Sequence, residues 1–271
     1  MKILITGKNG FIGKSIKSLP FSDISFIGRD DINLLNTADV KEYFSKNTFD
    51  VIIHTAKVGG NRLQQDGSDV TDSNLRMFFN LLRNKDKFTR FINLSTGAER
   101  DRFSDNIVEG DYPTDPYGMS KSIISKYCRD LNNFYNIRIF NVFGSQELPT
   151  RFIRNNIENY LHDRDIIIHK DRLMDFFFID DLVSLLSFYI SEPLANLQKE
   201  VDCSYKQKYS LLDIAKKINN LSNKTVNINL LSLDLDRPYI GDSSTLENTS
   251  LELFGLDYGL KIVYNNLSKQ L

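Results

Sequence analysis

The chain has 271 residues, 41% of them hydrophobic, with 34 Lys plus Arg against 35 Asp plus Glu and a formal net charge of -1. That apolar content excludes an intrinsically disordered chain, and at about 150 residues per domain the length predicts one large domain or two small ones. Balanced charge leaves no global basic field to gather nucleic acid, so an anionic partner must be held locally; the two cysteines, Cys128 and Cys203, lack the spacing of a disulfide framework or a metal site.

Short apolar runs alternate with helix-length amphipathic ones. Ile3 to Ile5 predicts a strand and Phe11 to Leu19 a helix; Ile24 to Ile27 and Thr37 to Lys46 repeat the pair, as do Val51 to His54 and Asp69 to Leu82. The rhythm continues with a strand at Phe91 to Leu94, a helix from Pro116 to Phe134 and a strand at Ile137 to Phe140. Strands that are apolar without alternation fit a parallel sheet covered on both faces. The expected fold is therefore α/β, a Rossmann-type doubly wound parallel sheet with a small C-terminal α+β substrate-binding lobe. Beyond Gly144 the rhythm weakens to a helix near Arg151 to Leu161, a strand at Asp165 to Ile168, a helix at Asp180 to Ile190 and a polar final third. The sheet domain is expected over 1–145 with about 179–205, and the lobe over about 146–178 with 206–271, the two forming a cleft. The densest apolar run, Leu182 to Ile190, falls well short of the roughly 18 residues of a spanning helix. The N-terminal run is likewise shorter than the ~7 to 15 apolar residues of a signal peptide. A soluble, cytoplasmic protein with no membrane or nucleic-acid partner is expected.

Gly7, Gly10 and Gly13 space the turn Thr6-Gly7-Lys8-Asn9-Gly10-Phe11-Ile12-Gly13 between the first strand and the first helix. Residues without Cβ let backbone approach a pyrophosphate there, and the amides that open the helix attract the anion. The second strand ends in Gly28-Arg29-Asp30-Asp31. Arg29 and Lys8 together would balance a ribose 2′-phosphate and favour NADPH over NADH; an aspartate pointing inward would accept from a 2′-hydroxyl and favour NADH. Arg29 also reads as a solvated residue paired with either aspartate.

Tyr117 and Lys121 stand four apart on a predicted helix, which puts phenol and ammonium on one face. Lowering a phenol pKa of about 10 by ~3 units takes roughly 4 kcal/mol of phenolate stabilisation, which a desolvated cation can supply. Ser95 and Thr96 end the preceding strand, where a hydroxyl would meet the same substrate oxygen; ordinary strand-end capping is the alternative. His54 reads as a satisfied core histidine, His162 and His169 as surface residues, and Phe176 to Phe178 as core. Arg151, Arg154, Arg172 and Arg237 are candidates to clamp a diphosphate. Asn74 reads as a helix cap or a polar contact of the site, and Glu99 as a rim residue.

With these motifs, and with Asn141-Val142-Phe143-Gly144 and Phe176-Phe177-Phe178-Ile179-Asp180-Asp181, the chain resembles the extended short-chain dehydrogenase/reductase family of sugar-nucleotide epimerases, dehydratases and reductases over roughly residues 1–185. His54-Thr55-Ala56-Lys57-Val58-Gly59-Gly60 and the run Arg29 to Asn36 look most like its GDP-L-fucose synthase branch. The resemblance implies a Ser/Thr-Tyr-Lys triad, a nucleotide-diphosphate sugar substrate and a homodimer. It places Asn33 and Leu34 by adenine, Thr55, Ala56, Lys57, Tyr117 and Lys121 by the cofactor, with Lys121 on the nicotinamide ribose, Phe140 by the nicotinamide and Asn141 by the substrate diphosphate. Departures narrow the chemistry. Gly97-Ala98 follow Thr96 where dehydratases carry an acidic pair. Gly97 also stands where that branch has a cysteine, and no histidine occurs between His54 and His162. Met174 replaces a diphosphate-binding arginine, with Arg172 as the substitute. The expected activity is NAD(P)H-dependent reduction of a nucleotide-activated 4-keto-6-deoxy sugar with Tyr117 as proton donor. The alternatives are a nucleotide-sugar 4-epimerase with tightly bound NAD, and a non-catalytic dinucleotide sensor or scaffold. No metal is expected.

Overall fold

The structure, a computed structural model, describes residues 1–61, 65–100 and 112–270. In chain order the elements are β1 (Ile3–Thr6), α1 (Phe11–Ser15), β2 (Ile24–Ile27), α2 (Thr37–Lys46), β3 (Phe49–His54), α3 (Asp69–Leu82), β4 (Phe88–Thr96), α4 (Pro116–Asp130) and β5 (Phe134–Ile139). There follow β6 (Val142–Phe143), α5 (Phe152–Leu161), β7 (Ile166–Ile168), β8 (Phe177–Phe178), α6 (Ile179–Ser191), β9 (Glu200–Cys203), α7 (Leu211–Asn219), β10 (Ile228–Leu230), α8 (Ser244–Glu247) and α9 (Gly255–Ser268). The chain divides into two compact units, Met1–Arg138 with Ser187–Val201, and Ile139–Leu186 with Asp202–Leu271.

The first unit is built on a Rossmann-type parallel sheet of strand order β2-β1-β3-β4-β5-β9. β1 pairs in parallel with β2 on one side and β3 on the other, so the winding direction reverses between β1 and β3, the place where open α/β sheets take ligands. Apolar runs become central strands because both faces are covered: Ile3, Leu4, Ile5, Ile52, Ile53, Phe91 and Ile92 are sealed from solvent. Phe44 of α2 and Phe78 and Leu81 of α3 pack in the same core, where the Phe91 ring stacks on Phe134 at 4.9 Å. Arg90, at the start of β4, donates to the carbonyls of Tyr189, Ile190 and Glu192 and so satisfies the end of α6.

Two predicted helices are shorter than their patterns. α1 stops at Ser15 and gives way to a 3-10 turn, Ile16–Ser18. Pro20 forces Leu19 into extended backbone, and Ser15 and Ser18 hydroxyls turn back onto carbonyls of the preceding turn. α4 ends at Asp130 rather than Phe134, because Asn133 takes a left-handed φ of 60° and swings the chain into β5. β5 consequently begins at Phe134, three residues earlier than its apolar core suggests.

In the second unit β6 pairs in parallel with β8, and β7 with β10. Phe176, Phe177 and Phe178 are buried as core; Phe177 stacks on Tyr205 at 4.9 Å, and Gly259 of α9 closes against Phe143 and Phe178. The Asp181 carboxylate takes the Tyr205 hydroxyl and the backbone amides of Phe254 and Gly255, which pins the start of α9. No helix among the described residues is long and apolar enough to cross a membrane.

Candidate active site

The glycine turn is shaped by two steric necessities. Gly7 has φ +81°, and a Cβ on it would lie 2.6 Å from Thr55 Oγ1 and 2.8 Å from Ala56 N; a Cβ on Gly13 would lie 2.3 Å from Gly7 O. Gly10 differs, since its nearest neighbour would be Gly7 O at 3.5 Å, an ordinary contact. The protein has no steric need for glycine there, and the open space over the turn is the shape a pyrophosphate requires, so the residues present fit a dinucleotide. Phe11 and Ile12 open α1, whose first amides receive no side-chain cap from Gly10. Thr55 donates through its hydroxyl to Thr6 O, and Ala56 N donates to Thr6 Oγ1 at 3.3 Å, so the loop after β3 is fastened to the end of β1. Thr6 Oγ1 also lies 2.9 Å from His54 Nδ1; burial drives the His54 pKa down to about 3, so it stays neutral.

At the end of β2, Lys8 Nζ lies 2.9 Å from Asp30 and 2.5 Å from Asp31. Asn9 Nδ2 donates to Asp30 at 3.0 Å and Gly28 N to Asp31 at 2.7 Å, so both carboxylates turn toward the glycine turn. Hydrogen bonding to Lys8 holds both carboxyls below their usual range. Arg29 is exposed, as is Asn33, whose Oδ1 accepts from Leu35 N; Leu34 is buried beneath α2 and α3.

Asp115 caps α4 by accepting from Gly118 N, with Pro116 preset for the first turn, and this starts the helix one residue before Tyr117. The Tyr117 ring is buried among Val58, Val70 and Ala98. Gly60 lies against it so closely that a Cβ would be 2.7 Å from Cε1. Two ammonium groups attend the ring, Lys57 Nζ at 5.2 Å and Lys121 Nζ at 5.9 Å from its centroid. Lys121 is sealed from solvent and donates to Leu94 O at 3.0 Å, on the strand that ends in Ser95 and Thr96. Burial, helped by Lys57, pushes its pKa down to about 8, while Glu99 pulls the other way. The loop from Thr55 to Gly60 thus touches both the glycine turn and Tyr117. Asn74 secures it: this residue lies inside α3 rather than capping it, exchanges hydrogen bonds with the Val58 backbone and donates to Ser120 Oγ of α4 at 3.0 Å.

The two strand-end hydroxyls part company. Thr96 Oγ1 accepts from Ala98 N at 3.3 Å, whereas Ser95 donates to Glu99. Glu99 is no rim residue. It is buried and ion-paired with Arg138 of β5, and it also meets Ser125 of α4 and Asn136 of β5. Sequence reading missed Arg138 and put Glu99 at the rim, although polar residues two apart on both strands, Asn93 with Ser95 and Asn136 with Arg138, mark one polar face beneath α4.

In the second unit, Asn141 Nδ2 donates to Asp175 O and its Oδ1 accepts from Arg151 at 3.2 Å. Phe140 packs edge-on against Tyr239 at 5.2 Å. Arg172 is ion-paired with Asp236 at 3.0 Å, next to exposed Arg237, and Met174 is buried. Arg154 is held by Glu158. Asp175 and Lys208, whose charges meet at 3.0 Å, carried no signal in the sequence. His162 and His169 are exposed, and no trio of His, Cys, Asp or Glu among the described residues stands together as a metal site.

Comparison with known proteins adds a lineage to this geometry. Protein CapI of Staphylococcus aureus is 26% identical over 237 residues, 71% of this chain and 70% of that protein. The GDP-mannoheptose C4 reductase of Campylobacter jejuni, solved with NADP bound, has a similar fold with TM-score 0.80 at 17% identity, covering 97% of both chains. The UDP-glucuronic acid 4-epimerase of Bacillus cereus, solved with UDP-glucuronic acid and NAD, superposes with TM-score 0.75 at 23% identity over 100% of both. Residues 3–201 match the model of the NAD dependent epimerase/dehydratase family, a family of NAD(P)-dependent enzymes, and the chain belongs to it.

Proposed function

We propose that the protein is a nucleotide-sugar reductase acting on the C4 carbonyl of a 4-keto-6-deoxy sugar, with a nicotinamide dinucleotide, NADPH or NADH, as reductant. The observation that carries this reading is the buried Tyr117–Lys121 pair, which is tied to the end of β4 through Leu94 O and lies against a loop fastened to the glycine turn. Gly7, Lys8, Asn9, Gly10, Phe11, Ile12 and Gly13 would receive the dinucleotide phosphates, Arg29, Asn33 and Leu34 its adenosine half, and Thr55, Ala56, Lys57 and Phe140 the remainder. When bound, that group supplies the hydride. Tyr117 holds the proton for the substrate oxygen, Thr96 hydrogen-bonds the same oxygen, and Lys121 stabilises the phenolate left behind. Asn141, Arg172 and Arg237 would meet the nucleotide diphosphate.

Simple carbonyl reduction is favoured over dehydration or shuttling at ring carbons because the other acids and bases of the described site are spent. Glu99 is tied to Arg138, and His54 is held neutral against Thr6. A cytoplasmic homodimer completes the proposal, carried by the family resemblance. The test is dinucleotide consumption with a panel of nucleotide 4-keto-6-deoxy sugars. Tyr117→Phe should lower kcat by about 10²–10⁴ while the protein stays folded. A folded protein that turns over none of the panel rejects the reading.

One observation favours a second reading, a 4-epimerase that retains NAD. Asp30 and Asp31 face the glycine turn as acceptors, the arrangement suited to a ribose 2′-hydroxyl. Stoichiometric NAD in the purified protein, with sugar interconversion and no net dinucleotide consumption, would select it. A non-catalytic sensor would be selected by a Tyr117→Phe protein identical to its parent in every assay.

A further inference from the structure

Glu99 is the hub of the polar face beneath α4. Its Oε1 accepts from Arg138 Nε of β5 and lies 3.1 Å from Ser125 Oγ of α4. Its Oε2 takes the Ser95 hydroxyl of β4 and lies 3.4 Å from Asn136 Nδ2. The Glu99 and Arg138 side chains are only 3% and 4% exposed. Desolvating an ion pair to that degree costs about as much as the attraction returns, and apolar residues of equal volume commonly give a fold as stable. Stability alone therefore gives no reason for charges here, although Glu200, less buried, extends the network by accepting from Arg138 Nη2 at 3.2 Å and from Ser125 Oγ at 3.0 Å.

The placement of the Glu99–Arg138 pair gives one. Tyr117, Lys121 and Ser125 fall four residues apart on α4 and form one stripe. Glu99 grips the last member of that stripe and the strand tip that carries Ser95 and Thr96. We infer that Glu99, fixed by Arg138, is a positioning residue that sets the spacing between the Tyr117–Lys121–Ser125 stripe and Thr96 and supplies the negative charge behind Lys121. The inference rests on the proposed reductase chemistry of that stripe. The ionisable groups facing Lys121 among the described residues are His54 from β3, Lys57 from the loop after it, Glu99 after β4, and Tyr117 and Cys128 from α4. His54 is neutral and burial pushes the Cys128 thiol up, which leaves Glu99 as the anion of this group.

Glu99→Gln keeps the shape and removes the charge. Lysine 13Cε NMR, with the Lys121 signal assigned through Lys121→Arg, should show Lys121 losing its proton at lower pH than in the parent. The variant's kcat should fall about 10- to 100-fold, with KM for sugar and dinucleotide changed less than about twofold, and Glu99→Asp should restore part of it. An unmoved Lys121 titration with unchanged kcat overturns the inference. If Glu99→Gln does not fold, the double variant Glu99→Met with Arg138→Met decides: a folded double with parental kcat overturns the inference, and a folded double that binds dinucleotide but has lost kcat supports it. The Lys121 titration needs no substrate, so inactivity of the parent on every sugar would reject the proposed function while NMR still decides the role of Glu99.

Discussion

Lys121 pits chemistry against stability. An unfolded lysine takes its proton near 10.5 and this one at about 8, so between those values the unfolded chain holds more protons and stability from this position rises with pH; below about 8 the cost of the buried cation is present in full. Lys121→Met should therefore compare best with the parent at pH 7, and its relative Tm should decline steadily toward pH 10 in thermal melts. The proposed dinucleotide choice is also tested at single residues. Replacing Asp30 and Asp31 with Asn leaves Lys8 and Arg29 unopposed, and should raise the NADPH-to-NADH ratio of kcat/KM about tenfold at low salt and less at high salt. An unchanged ratio would show that these carboxylates do not meet the ribose. The spacing of Tyr117 and Lys121 was legible because both lie on one helix. Glu99 was not, because its partners Arg138 and Ser125 lie 39 and 26 residues away and only the fold brings them together.

Among elements, the glycine turn separates architecture from binding. Gly10 has φ -73° and ψ 165°, which alanine adopts freely. Gly10→Ala should keep stability or raise it by about 0.4–1 kcal/mol while weakening dinucleotide affinity tenfold or more, read by melts and titration calorimetry. Gly7→Ala meets both a left-handed φ and the Thr55 contact, and should cost about 1–3 kcal/mol before any ligand is added. Element type was legible wherever apolar residues kept one period, as in β1, α2 and α3. Ends were less so. Residues 131–134 continue a helical pattern by composition, yet a left-handed Asn133 and a core waiting for the Phe134 ring turn the chain out of the helix and start β5 at Phe134.

For the molecule as a whole, the parallel sheet was legible and the C-terminal third was not. The second unit is held by long-range polar anchors rather than by a repeated pattern. Lys208 meets Asp175, Ser204 and Gly241 O, while Asp175 also takes Gly241 N at 2.7 Å. A lysine among many surface lysines carries no sign of such a role. Lys208→Met leaves a nearly buried carboxylate without its cation and should destabilise the protein by about 2–3 kcal/mol, measured by urea unfolding.

Gly59 and Gly60, left-handed at φ 75° and 72°, bear on how freely this gene can drift. Neither has a side chain that could react, yet a methyl group at position 60 would collide with the Tyr117 ring. In a saturation library selected for turnover, position 60 should tolerate as few replacements as the tyrosine itself, an intolerance that chemistry-based scoring would overlook.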